Sequence, residues 1–154
     1  MDTVLELEDF QTEDIMSLNH SLVSYNLTKS LSKYDKEYRI LPELELELQS
    51  GRAKPDICIY NKMKVNWLND VIRLTTPPLV AIEILSPRQA LSDLTDKTIA
   101  IYFPAGVQSV WIVIPTLQFV QILTNTNETA TFSEGTIKDP IFGFEVEFSD
   151  LFGN

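Results

Sequence analysis

Three side chains stand where their chemistry is costly unless it is used. Asp56 sits at the mouth of the apolar run in KPDICIY, and Glu83 lies inside the run in PPLVAIEILSP. Lys97 follows Leu94 by three residues and precedes Ile101 by four, which puts it on or beside the inward stripe of a helix. An ionised carboxylate or ammonium taken out of water needs a partner. Each carboxylate has three readings open to it: a place on a polar face, a local cation such as Lys54 or Arg88, or a shared divalent metal. The plain reading of Lys97 is an i, i+4 pair with Asp93, worth about 0.3 to 0.5 kcal/mol if exposed. The sharper reading aims its ammonium at the end of a sheet where Asp56 and Glu83 meet. Two carboxylates that hold Mg²⁺ (or Mn²⁺) beside a lysine suit phosphodiester hydrolysis by a metal-activated water, with no nucleophilic side chain required. A carboxylate pair and one lysine occur in many folds, so the spacing alone is a weak signal.

The elements that would position these groups follow from periodicity. Residues 12 to 34 read as a first helix, with Thr12 ahead of two acids and Ile15, Leu18, Leu22, Val23, Leu27 and Leu31 as its apolar stripe. His20, the only histidine, shares helical spacing with Val23, Leu27 and Leu31 and leans toward the core. A hydrogen-bonded structural histidine is its simpler role. From Glu43 to Leu48 the chain alternates Glu and Leu, which predicts a strand with one wet face, one of whose glutamates is available to a site. DICIY and LVAIEIL read as further strands, joined by a loop from Asn61 to Pro78; Ser86 and Pro87 end the second. Residues 92 to 103 predict a second helix begun by Ser92 or Asp93, with Leu94, Ile101 and Tyr102 inward. SVWIVI reads as a strand buried on both faces. A hairpin turning at Asn125 to Glu128 follows, then a tail in which Phe142, Phe144, Val146 and Phe148 alternate with other residues. A mixed sheet covered by helices is the expected fold class, in one domain spanning 1 to 154 with an N-terminal extension over 1 to 11.

Composition narrows the function classes. The chain has 154 residues, 44% hydrophobic and 22% charged, unlike a disordered segment. No apolar run approaches the roughly 18 to 20 residues of a spanning helix, and the start MDTVLELEDF is acidic where a signal peptide is basic, so a cytoplasmic protein with no membrane partner is expected. Cys58 is the only cysteine, which excludes an intrachain disulfide and a Cys-rich zinc site and leaves an ordinary core thiol. The formal charge of −10 argues against a broad basic surface for nucleic acid. Its distribution softens that: residues 15 to 127 carry 11 basic and 10 acidic residues, and eight of the 12 cations fall between Lys29 and Lys64.

Several stretches taken together, KPDICIY, PPLVAIEILSP, DLTDKTIAIYFPAGVQSVWIVIP and DPIFGFEVEFSDLF, resemble the restriction endonuclease family often called Uma-two, a branch of the PD-(D/E)XK nuclease superfamily. The resemblance covers about residues 15 to 153 and implies an α/β (α+β) restriction endonuclease-like core ordered αβββαβ, followed by a β-rich tail. It makes Asp56 the Asp of the PD motif, Glu83 the acid of the third strand and the backbone carbonyl of Ile84 a further metal ligand. Leu85 stands where the superfamily pattern has lysine. The family is similar in drawing its lysine from the next helix, where Lys97 matches, with Asp93 one turn earlier. His20 sits where the family often has a histidine, and Ser86, in the matching EILSP run, joins His20 and Asp93 as a candidate supporting residue. The resemblance implies a Mg²⁺-dependent DNA endonuclease. The alternative is a non-catalytic interaction module on the same scaffold, homodimeric or a subunit of a larger DNA-processing complex, which the negative charge and the lack of an aromatic and basic surface support.

Overall fold

A computed structural model describes residues 16–153. The expected helix start at Thr12, the stripe position Ile15 and the N-terminal extension lie outside the described residues. Helix α1 spans Leu18–Leu31, capped by the Ser17 hydroxyl, which accepts from the His20 N–H, and continues as a 3₁₀ turn over Ser32–Tyr34. Its buried face is His20, Val23, Leu27 and Leu31. Leu18 and Leu22, expected in that stripe, are exposed, because the sheet lies under the residues spaced from His20 and the helix is too narrow to bury both rows.

Strands β1 (Tyr38–Pro42), β4 (Ile57–Asn61), β5 (Val80–Ile84), β6 (Ser109–Ile114), β7 (Phe119–Thr124) and β8 (Thr129–Phe132) form one sheet in the order β1-β4-β5-β6-β7-β8. The β5–β6 pair is parallel and the remaining pairs are antiparallel. The parallel pair needs a crossover, supplied by helix α2 (Leu91–Lys97), a π-helical turn (Thr98–Tyr102) and the short helix α3 (Phe103–Ala105). The mixed sheet flanked by helices is the fold class that the sequence predicts. Among the described residues no helix is long and apolar enough to cross a membrane.

The Glu-Leu alternation gives a different strand from the one expected. β1 ends at Pro42, Glu43 adopts a left-handed φ of 51°, and only Leu46–Leu48 (β2) pairs, with Gly51–Ala53 (β3), in a separate ribbon. Pro42 stands on the edge strand, where its missing N–H costs no bond to β4; the Glu43 N–H makes the last such bond, to Asp56 O at 3.0 Å, and the turn at Glu43 takes the chain out of the sheet. The first strand of the sheet is therefore YRILP. The tail also departs from the expected run: β9 (Thr136–Lys138) pairs with β10 (Glu145–Glu147), and helix α4 (Phe148–Phe152) follows directly.

Two apolar layers sandwich the sheet. On one face α1, β10 and α4 cover Ile57, Ile59, Val80, Ile82, Trp111 and Val113. On the other, α2, the π turn and the β2–β3 ribbon cover Cys58, Tyr60, Ala81, Val110 and Ile112. Strand alternation then fixes the site: Glu83 follows Ala81 by two, and Asp56 precedes Cys58 by two, so both belong to the α2 face.

Asp139 is a buried carboxylate that locks the tail to the sheet. It accepts from Trp111 Nε1 (2.8 Å), Ser109 Oγ (3.2 Å) and the N–H groups of Ile141 (2.9 Å) and Phe142 (2.8 Å). Asp139→Ala strands those donors, and urea titration should show a loss of about 3 kcal/mol or more, with a smaller loss for Asp139→Asn, which keeps one acceptor oxygen. Burial pushes the Cys58 thiol up to about 12, so a thiol reagent at pH 8 should label the folded protein far more slowly than the urea-unfolded chain.

Candidate active site

The carboxyl end of β5 opens onto a cavity of about 710 Å³, whose lining includes Asp56, Glu83, Ile84 and Lys97. Glu83 is the last outward position of β5 on the α2 face and is 4% exposed. Its Oε2 accepts from Lys97 Nζ at 3.1 Å and from Tyr102 Oη at 2.6 Å. Burial pushes the Glu83 carboxyl above its ordinary value, and the Asp56 charge pushes the same way. The Lys97 ammonium and both hydrogen bonds pull it down without reversing the shift. Lys97 thus serves Glu83, not the i, i+4 pair with Asp93. The Asp93 carboxylate turns back to accept from the Ala90 N–H at 3.1 Å, where it caps α2.

Asp56 lies just before β4 and reaches across the end of the sheet. Its Oδ2 accepts from the Ile84 N–H at 2.7 Å, and its Oδ1 lies 3.2 Å from His20 Nε2. This partner is a histidine on the opposite layer. Leu85 sends its N–H to Val113 O on β6, so Ile84 turns its own backbone polar groups to the other edge of β5, toward Asp56. His20 is buried. Burial alone would lower its pKa, but the hydrogen bond and charge of Asp56, with the charges of Glu43 and Glu83, raise it on balance. Its Nδ1 is buried without a hydrogen-bond partner.

Ser86 lines the cavity and is nearly buried; its N–H and C=O form a turn with Gln89. Of the glutamate row, Glu45 is the one that lines the cavity, 3.5 Å from Arg73. The sequence-derived residues Asp56, Glu83, Ile84, Lys97, His20, Ser86 and Asp93 all border this one cavity.

Tyr102 has no role assigned from sequence beyond an inward position, and its contact with Glu83 depends on the π turn. On an α-helix Lys97 and Tyr102 would stand about 140° apart. The Phe103 N–H bonds Thr98 O, an i→i+5 span that widens the turn and carries Tyr102 round to the same carboxylate. Burial, and then the Glu83 charge, keep the Tyr102 phenol well above its ordinary value, so it acts as a donor.

Among the described residues no group of three or more His, Cys, Asp or Glu side chains is arranged to hold a metal. Mg²⁺ does not need such a group: it keeps several waters and takes one or two carboxylates, and the hard oxygens of Asp56 and Glu83 fit that requirement.

Comparison with known proteins follows the same line. No curated protein matches the chain. A crystal structure from Anabaena variabilis, described as a "putative nuclease belonging to DUF820", has a TM-score of 0.76 at 23% identity, covering 88% of this chain and 81% of that one. At that identity the likeness establishes the fold. A second solved structure, described as "cryoEM structure DrdV-DNA complex", shares 13% identity with a TM-score of 0.45, covering 83% of this chain and 12% of that one, too low a score to carry an argument. The Uma2 family model, described as "Putative restriction endonuclease", matches residues 12–149, nearly the whole sequence. The chain therefore belongs to the Uma2 family, on a fold shared with the Anabaena variabilis protein.

Proposed function

We propose that the protein is a Mg²⁺-dependent (or Mn²⁺-dependent) endonuclease that hydrolyses phosphodiester bonds in DNA. The observation that carries this reading is the meeting of Asp56, Glu83 and Lys97 on one open cavity, with Lys97 bonded to Glu83 across the crossover. Asp56 and Glu83 would hold the cation, and the Ile84 carbonyl, on the strand edge that faces Asp56, is the further ligand. The bound metal supplies Lewis acidity to water and to phosphoryl oxygens.

The remaining chemistry belongs to the chain. Lys97 opposes the upward push of burial on the Glu83 carboxyl and presents an ammonium to the attacking water or to charge that develops on the phosphate. Tyr102 fixes the Glu83 carboxylate from the other side, so its oxygens are set before substrate arrives. His20 donates to Asp56 and, with the Ile84 N–H, fixes its rotamer. Asp93 and Ser86 shape the start of the crossover. This arrangement needs no covalent intermediate on the protein.

The acidic charge of −10 favours a second reading, a nuclease-fold module that has kept the pocket and lost the chemistry. A plasmid cleavage assay with Mg²⁺ or Mn²⁺ separates the two. The wild type should cut, and Asp56→Ala, Glu83→Ala and Lys97→Met should each lose activity by about 100-fold or more. Activity that survives both carboxylate substitutions sinks the site, and DNA binding with no cutting under any divalent cation favours the module. Tyr102→Phe removes one donor from a buried carboxylate and leaves the ring in place. It should lower kcat by about tenfold with little change in KM and weaken the Mn²⁺-induced rise in Tm; a kcat equal to wild type would reduce Tyr102 to packing.

A further inference from the structure

The loop between β4 and β5 exposes five large apolar side chains, Val65, Trp67, Leu68, Val71 and Ile72. It is pinned at one end by the Arg39 guanidinium on Met63 O (2.9 and 3.2 Å). At the other end Leu74 is zipped to β2 through Glu47 N to Leu74 O (2.8 Å) and Leu74 N to Glu45 O (3.2 Å). Between these pins the Asn69 N–H bonds Asn66 O, and the Leu68 N–H bonds Asn66 Oδ1, closing a tight turn. The two central residues of that turn are Trp67 and Leu68, 90% and 95% exposed. Such positions ordinarily carry Gly, Pro, Asn or Asp. Ile72, at 80% exposed, adds to the same surface.

We propose that this turn is a nucleic-acid contact in which Trp67 stacks on a base of the bound DNA, with Leu68 beside it as an apolar wedge. The inference rests on the DNA reading given above and assigns it a recognition element. Three observations select DNA as the occupant. The loop ends at Arg73, which lines the same cavity as Asp56 and Glu83, so a polymer seated at the cleavage site is close to the loop. The segment from Lys62 to Arg73 holds one carboxylate and three cations, of which Arg73 is shared with Glu45 at 3.5 Å, in a chain of net charge −10; the local excess of positive charge attracts phosphate and would set like charges together in a contact between two copies. Asn66 and Asn69 flank the aromatic with amide groups that can reach base edges. Proteins that hold a single nucleic acid strand combine aromatics on which bases stack with cations along the backbone, the pairing of groups present in this loop.

Two tryptophans make the test direct, because Trp111 is fully buried and Trp67 is exposed. The full chain, with Ca²⁺ replacing Mg²⁺, is titrated with a short mixed-sequence duplex and with the matching single strand while tryptophan emission and acrylamide quenching are followed. Trp67 emission should fall and become shielded from acrylamide as DNA binds. Trp67→Ala should weaken Kd by about 5- to 150-fold at unchanged Tm, and Trp67→Phe should stay near wild type, since a phenyl ring still stacks. Lys64→Ala should lower the slope of log Kd against log salt by about 1. No DNA binding by the wild type, or equal DNA affinity for wild type and the Trp67→Ala, Leu68→Ala double variant, overturns the proposal. Shielding of Trp67 by protein concentration alone, with a dimer in sedimentation, overturns it in favour of a second copy. If Trp67 responds to DNA but nothing is cut with Mg²⁺ or Mn²⁺, the nuclease reading fails and this one stands. Cleavage that depends on Asp56 and Glu83 but ignores the double variant gives the reverse.

Discussion

A carboxylate buried inside a central strand constrains most of this molecule. Glu83 is flanked in β5 by Ile82 and Ile84, faces the α2 layer and has little access to water. Charge in that place is tolerable only if it is met by donors held rigidly nearby. Lys97 and Tyr102 meet it, both from the crossover that the parallel β5–β6 pair requires. The topology that makes the crossover necessary therefore also delivers the two groups that make the buried charge tolerable. The π turn joins the two roles, because it allows one short helical segment to present residues five apart to a single oxygen.

Asp56 solves a related problem by a different route. It sits where β4 leaves the ribbon, so its side chain can reach the Ile84 N–H past the end of the β4–β5 ladder. His20 arrives from the opposite layer, and the Ser17 cap that starts α1 fixes where that histidine stands. The two carboxylates are thus held by separate sets of donors and still sense each other's charge, as the upward push of Asp56 on Glu83 shows. Two carboxylates held in this way border one cavity, where a divalent cation would relieve the repulsion between them.

The fold places rigid and adaptable parts accordingly. The catalytic candidates stand on strands and on the crossover, backed on both sides by close-packed layers. The Trp67 turn stands on a loop tethered at Met63 and Leu74, outside the strands and the crossover that carry the carboxylates and Lys97. Asp139 has the opposite purpose: it is also a buried acid, but its oxygens are taken by the Trp111 indole, a hydroxyl and two backbone amides, which joins the tail to β6, and it does not line the cavity that Asp56 and Glu83 border. Burial of a carboxylate alone does not separate a site from a staple; what lies on its remaining side does.

Periodicity and residue type determined a great deal in advance. The period of two in DICIY and VAIEI fixes the side of its own strand that each carboxylate takes, and the spacing from Leu94 turns Lys97 inward, because these are properties of a strand and a helix wherever they occur; that Asp56 and Glu83 share a face follows from the pairing of β4 with β5. The break at Pro42 and Glu43 was harder to see, since Glu-Leu alternation satisfies a strand pattern whether or not a partner strand is available. Leu18 and Leu22 likewise satisfy a helical stripe, yet only the row through His20 meets the sheet. Other contacts could not be read from the chain at all. Tyr102 reaches Glu83 only through a π turn that no local pattern announces, and His20 reaches Asp56 only because α1 crosses the end of the sheet. Local sequence sets which way a side chain can point, whereas which partner waits there depends on distant segments brought together, and tertiary packing alone decides that.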